Sequence, residues 1–510
     1  MGVDIENPLS PPSQPSPLKG EGGLGLLPYR KKPRLEARGS TIPEGDAKPF
    51  NLLRRFTVAH WAYDSVFYHI YPLGFCGAPL KNDFCSPANP RLEQLHGWLG
   101  HLQGLGVNAL YLGPVFESTA HGYDTADYYH VDRRLGSNEM LSHLSSVLHQ
   151  KEVRLILDGV FHHVGRDFWA FRDVLEHLEK SAYCDWFYRL DFHKRSPYND
   201  PFAYEGWNGH YSLVKLNLHN PAAKDHLFQA VDMWIREFDI DGLRLDAADC
   251  IDVAFLKELA AFCKSRRPDF WLMGEVIHGD YRKWVNAETL DSVTNYECYK
   301  SLYSSHVEKN YFEIAYALNR QFGETGLYRN FPLYTFADNH DVNRVASLLK
   351  NPAHLYPLYS LLFTMPGVPS IYYGSEWGIE GKRTGGNDQA LRPWLDLFDV
   401  SHNSPHRDLS RVISRLAQIR RHSDALRYGD YRQLLVSHEQ FAFARQTREE
   451  CVIVAVNAAD KPIPFELVLP VTGGSRLIDL LNEGDNFPVH GGKVHIDVVK
   501  PCWSRIMVAK

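Results

Sequence analysis

GLRLDAAD, residues 242–249, puts two opposite charges inside an apolar strand. Residues 242–245 read as that strand, entered by a turn at 239–241. Alternation then sets Arg244 and Asp246 on one face and Leu243 and Leu245 on the other. Burying an arginine and an aspartate is costly unless they pair or serve chemistry. For one isolated instance, a structural ion pair explains the pattern as well as a functional site does. Three further stretches repeat the form. VRLILDGVFHH (153–163) carries Asp158 and His163, DFWLMGE (269–275) ends on Glu275, and LYTFADNHD (333–341) ends on His340 and Asp341. Asp246, Glu275 and Asp341 each stand where a strand gives way to a loop. In an eight-stranded parallel barrel the C-terminal strand ends converge on one mouth, where the chemistry is done.

The chain around these stretches alternates strand and helix. SVFYHIYPLGF (65–75) is strand one, closed by Pro72; VNALYLGP (107–114) is strand two; SVTNYE (292–297) marks strand six; VPSIYYGSE (368–376) is strand eight. Leucines at helical spacing over 92–106 end on Gly106, a helix C-cap. Further helices read at 140–151, 222–238, 253–266, 354–367 and 406–423. This rhythm implies parallel strands buried on both faces. It breaks at 164–216, which is rich in aromatics, Asn, Asp and Pro and shows no long helix. The period changes to alternation after 424 (YRQLLVS, FAFARQ, CVIVAVNA, FELVLPV, WSRIMVA), as in an antiparallel β-domain. The expected architecture is α/β: a (β/α)8 TIM barrel over 56–163 and 217–424, an irregular insertion at 164–216 after strand three, and a C-terminal β-sandwich at 425–510. Residues 1–55, with SPPSQPSPLKGEGGLGL followed by RKKPR, read as a disordered tail.

With 510 residues, 44% of them hydrophobic and 23% charged, the chain can bury a large core. A net charge of −6 gives no reason to expect nucleic acid or an anionic membrane as partner. No apolar run is long enough to span a bilayer and no secretory leader is evident, so a cytoplasmic location is expected. The eight cysteines form no CxxC pair, which argues against a zinc site of the usual spacing. Cys76 and Cys85 share a loop and could bridge in an oxidising compartment; reduced thiols suit the cytoplasm.

The ordered motifs DGVFHH, GLRLD, GE and NHD resemble those of the α-amylase family of glycoside hydrolases, and the match spans 66–376. LVKLNLHNP (213–221) resembles the family's additional motif in its MPKLN form, and YDTADYY (123–129) resembles the cyclomaltodextrinase form; both favour the cyclomaltodextrinase, neopullulanase and maltogenic-amylase group. The resemblance implies retaining hydrolysis of α-glucans, with Asp246 as nucleophile, Glu275 as acid/base and Asp341 as transition-state stabiliser. It implies substrate-binding roles for Tyr123, which would stack on the sugar, and for His163 and His340; Asp158 would brace Arg244. Arg244, two residues before Asp246 on the same face, should lower the pKa of the nucleophile. Asp124 and Arg344 match positions that bind the terminal sugar in exo-acting relatives, and could pair to close the pocket. Many members hold a structural calcium through an asparagine where this chain has His162 and through the backbone carbonyl of a residue, often histidine, where it has Cys250. The His162 imidazole is a poor replacement for the asparagine oxygen, and a softer ion between His162 and Cys250 is conceivable, so neither calcium nor another cofactor is expected. Members of this group usually carry an extra N-terminal β-domain, for which 1–55 is too short and too polar. An α-glucosidase, an oligo-1,6-glucosidase, a general endo-α-amylase and a non-catalytic barrel relative are the alternatives.

Overall fold

The structure, a computed structural model, describes residues 60–470 and 475–510. The tail assigned to 1–55 lies outside the described residues. The barrel strands are β1 (Phe67–Ile70), β2 (Ala109–Leu112), β3 (Arg154–Gly159), β4 (Gly242–Leu245), β5 (Trp271–Gly274), β6 (Ser292–Val293), β7 (Tyr334–Phe336) and β8 (Val368–Tyr372). They pair in parallel in the order β7-β8-β1-β2-β3-β4-β5-β6. Between β6 and β7 the ladder shrinks to one parallel bridge, Thr294 to Tyr334, with the Asn295 N–H donating to Tyr334 O at 2.8 Å. There the Ser292 hydroxyl replaces missing backbone partners: it donates to Pro332 O (2.7 Å) and accepts from the Tyr334 N–H (3.1 Å).

Inward side chains of the strands, among them Phe67, Tyr111, Ile156, Trp271, Met273, Tyr334 and Phe336, fill the barrel interior. Outward residues such as Leu110, Leu157, Leu243 and Leu272 join the larger core beneath the helices. Strand one is shorter than its apolar run, because Pro72 opens a one-turn helix, Pro72–Phe75, at the position where proline costs no hydrogen bond. Several of the helices begin on side-chain caps, among them Ser137 for Asn138–Gln150, Asn220 for Pro221–Glu237 and Asp252 for Val253–Arg266. No helix among the described residues is long and apolar enough to cross a membrane.

After β3 the chain leaves the barrel through a three-stranded sheet of His163–Gly165, His210–Lys215 and Gly206–Trp207. This excursion also contains a helix, Trp169–His177, which the sequence reading missed. Its buried stripe is only Ala170, Phe171 and Val174, too short to stand out among the surrounding aromatics. The C-terminal sheet follows the short helix Asp424–Tyr428 and starts at Asp430. Its strands are β9 (Asp430–Val436), β10 (Gln440–Gln446), β11 (Cys451–Asn457), β12 (Ile463–Val468), β13 (Arg476–Asp479), β14 (Asn486–His490), β15 (Lys493–Val499) and β16 (Trp503–Ala509). All pair antiparallel, in the order β9-β10-β11-β16-β13-β14-β15-β12, over a separate core that includes Phe465, Leu477, Ile496 and Met507. Cys76, buried, and Cys85, exposed, are both free thiols.

Candidate active site

Strand register builds the floor of the mouth. Asp158 on β3 lies directly across from Arg244 on β4, and the guanidinium Nη1 donates to Asp158 Oδ1 and Oδ2 at 2.8 and 3.0 Å. The same nitrogen reaches Asp246 Oδ1 at 3.0 Å, and Nη2 reaches Glu275 Oε2 at 2.8 Å. One buried cation thus holds three carboxyl groups from three adjacent strands. Ala247, next after Asp246, adopts a left-handed backbone (φ 46°), strained for a residue with a Cβ, and its N–H donates to Glu275 Oε2 at 3.3 Å. The chain therefore turns sharply behind the first acid to touch the second.

The electrostatics are those of a crowded acid cluster. Burial raises the Asp246 carboxyl well above the ordinary carboxylate range; Arg244 opposes this, while Glu275, Asp158 and Asp341 add to it. Arg244 lowers the Asp246 pKa as expected, but burial and the neighbouring acids outweigh it. Burial likewise raises Glu275, against Arg244 and with Asp341. Both carboxyls are thus pushed toward the protonated form, and the charge of Glu275 makes Asp246 harder to ionise. Asp341 differs. Burial would raise it, but His340 (Nε2 to Oδ2, 2.9 Å), Arg392 (Nη2 to Oδ1, 2.9 Å) and Arg244 outweigh burial and hold it well below its usual value.

The other side chains expected at the site fall around this cluster, with one exception. Tyr123 is buried, its ring stacked on His340 (5.3 Å, 9°) and its hydroxyl 3.0 Å from Asp158 Oδ2. Gly122 before it takes φ 86°, and a Cβ there would lie 2.7 Å from Pro114 Cβ, so a glycine is needed to bring the tyrosine in. His163 Nε2 is buried without a partner, 3.8 Å from Asp246 Oδ2, and burial lowers its pKa so that the imidazole is neutral. His340 Nδ1 is likewise buried without a partner. Such groups suit sugar hydroxyls, which both donate and accept. Asp124 accepts from the His121 N–H at 3.0 Å.

Arg344 is the exception. It is fully buried in the barrel wall, donating to Tyr373 O (2.8 Å), Leu391 O (3.1 Å) and Ser375 Oγ (3.2 Å), and it forms no ion pair with Asp124. The expected closing pair is not formed, because those carbonyls and that hydroxyl already engage the guanidinium. The arginine that reaches the mouth is Arg392, after β8. Besides Asp341 it bonds His340 O (Nε, 3.0 Å) and lies 4.5 Å from the Tyr71 ring centre. Sequence reading missed it, as it missed His69, which stacks on Tyr111 (4.2 Å) with Nε2 buried and unpartnered. His69 had a signal, a polar residue on the inward face of strand one; Arg392 had none.

The chain belongs to the α-amylase family. The profile of the alpha-amylase catalytic domain matches residues 92–411. A cyclomaltodextrinase from Bacillus sp is 31% identical over 78% of this chain and 73% of its own length. Neopullulanase 2 from Thermoactinomyces vulgaris is 31% identical over 86% and 76%. A solved structure of a cyclomaltodextrinase superposes with a TM-score of 0.78 at 26% identity, covering 89% of this chain and 79% of the other. This chain is accordingly a glycoside hydrolase.

Calcium, frequent in the family, wants a cage of oxygen ligands. Where the resemblance would place it stand His162, whose pKa burial and the Lys215 ammonium lower to about 4, and Cys250, whose backbone carbonyl would be the ligand. Lys215 itself pairs with Glu205 at 2.7 Å. An imidazole in place of a carboxamide oxygen, with an ammonium beside it, does not fit a calcium ion. Away from the mouth, His354, Asp460 and Cys502 bring ligand atoms within 4.8 Å of one another, but Asn351 and Lys309 already bond Asp460.

Proposed function

We propose that this enzyme hydrolyses α-1,4-glucosidic bonds of short and cyclic maltooligosaccharides, with retention of anomeric configuration. The observation that carries the reading is the Arg244 bridge, which keeps Asp246 and Glu275 adjacent, as a retaining mechanism requires (about 5–5.5 Å between carboxyls). The carboxylate of Asp246 attacks the anomeric carbon. As that bond forms, the bond to the glycosidic oxygen breaks, its electron pair stays on the oxygen, and the Glu275 proton moves there. Water then enters, gives a proton to Glu275 and releases the sugar from Asp246, restoring both groups. Asp341, ionised between His340 and Arg392, faces the positive charge that develops on the ring. The names of the relatives, together with YDTADY and VKLN, support the substrate class. The test is a product profile on maltotriose, β-cyclodextrin, pullulan, starch, sucrose and isomaltose, with NMR of the first-formed anomer. Turnover of maltotriose and β-cyclodextrin to α-anomers is expected. β-Anomers would refute the mechanism, and activity confined to isomaltose or sucrose the substrate class.

A further inference from the structure

Glu275 receives a third hydrogen bond, from a residue that no sequence motif points to. Tyr296 opens the helix Tyr296–Val307 just past β6, and its hydroxyl lies 3.1 Å from Glu275 Oε1. The same hydroxyl lies 3.1 Å from Asn339 Nδ2, and Asn339 Oδ1 accepts the Asp341 N–H at 2.8 Å. A backbone N–H can only donate, so it fixes which way the Asn339 amide points. The NH2 of Asn339 therefore donates to the Tyr296 oxygen, and the tyrosine proton is left to point at Glu275. Burial, and the charge of Glu275, raise the Tyr296 pKa well above normal, so the phenol keeps that proton.

We propose that Tyr296 is a positioning residue that sets the acid strength and orientation of Glu275, donating to the carboxylate that forms as the proton passes to the leaving oxygen. The inference rests on Glu275 being the acid/base. The donor gains strength as charge appears on Oε1, so it favours the transition state over the ground state. The other groups facing Glu275 are already committed. Arg244 and the Ala247 N–H occupy Oε2, Asp246 and Asp341 repel the charge, and His340 is bonded to Asp341. Tyr296 is thus the donor at Oε1. Its ring packs edge-on against Phe336 (5.1 Å) and Tyr299 (6.0 Å), contacts that phenylalanine would keep.

Removing the hydroxyl destabilises the Glu275 carboxylate and makes it a weaker acid. In Tyr296→Phe the alkaline limb of kcat/KM, which reports loss of the Glu275 proton, should move up by about 0.5–1 unit. Turnover of maltotriose should fall about three- to tenfold, while an aryl α-maltoside, whose leaving group needs little protonation, should change far less. Replacing Tyr296 with 3-fluorotyrosine, a stronger donor, should move the limb the other way, and adding Tyr296→Phe to Glu275→Gln should have almost no further effect. A limb unmoved in both variants, or a parallel fall on both substrates, would reduce Tyr296 to packing and overturn the proposal. If Glu275→Gln alone turned over maltotriose normally, the assignment of the acid would fail instead, and the two failures are distinguishable.

Discussion

Replacing Arg244 with methionine removes the cation that bonds Asp158, Asp246 and Glu275 and keeps a side chain of similar reach. Four hydrogen bonds are lost, at 2.8, 3.0, 3.0 and 2.8 Å. At about 1.5–3 kcal/mol for each bond to a charged group, their sum would exceed what the site can lose, because stranded carboxyls take up protons instead of staying charged. Truncating one partner of a buried pair costs about 3–5 kcal/mol, and that is the loss expected at pH 8. The sign of its pH dependence follows from the carboxyls. Asp246 and Glu275 already have folded pKa values above their unfolded ones, and losing Arg244 raises both further. A raised carboxyl destabilises the fold above its folded pKa and ceases to do so below its unfolded one. The gap between variant and wild type should therefore narrow as pH falls from 8 to 5, by up to about 1.4 kcal/mol per unit for each carboxyl in titration. Urea unfolding at each pH measures the gap, and initial rates on maltotriose should fall about a hundredfold or more. A gap that stays constant across this range would refute the account of Arg244 as the group that governs protonation here.

Asp246→Asn should abolish turnover and leave the unfolding midpoint within a degree or two, since it removes the nucleophile and almost no volume; near-normal activity of the purified variant would remove Asp246 from that role. EDTA should change neither rate nor Tm, given imidazole and ammonium at the family's calcium position, and a loss restored by calcium would mean that ligands elsewhere hold an ion. Deleting residues 1–50 should leave rate and stability unchanged, because that stretch has too little apolar periodicity to add core; aggregation of the shortened protein would show that it docks.

The acids were legible because each ends an apolar run, where a charge stands out against its surroundings. Asp246, Glu275 and Asp341 needed only the rule that strand ends share one mouth. Arg392 was not legible, since its partner Asp341 lies 51 positions away and the loop that carries it has no periodicity to fix a direction. Arg344 shows the converse. An offset of three residues from Asp341 suggested the mouth, but the short helix Val345–Leu348 begins just after it, and its side chain runs into the wall. The raised Asp246 was hidden for another reason: burial is its main cause, with the crowding of Glu275, Asp158 and Asp341 behind it, and both depend on register between strands far apart in the chain. Helix Trp169–His177 was lost because nine residues give a periodic signal hardly more than two turns long.

The gap between β6 and β7 gives the barrel a seam where a serine hydroxyl replaces backbone rungs. Tyr296 follows one side of that seam and Asn339 the other, so their hydrogen bond spans it like a gauge. Opening of the barrel here would stretch this bond together with the Thr294–Tyr334 bridge and the Asn295 N–H bond to Tyr334 O. Amide exchange at Asn295, whose N–H crosses the seam to Tyr334 O, would read out how often it opens.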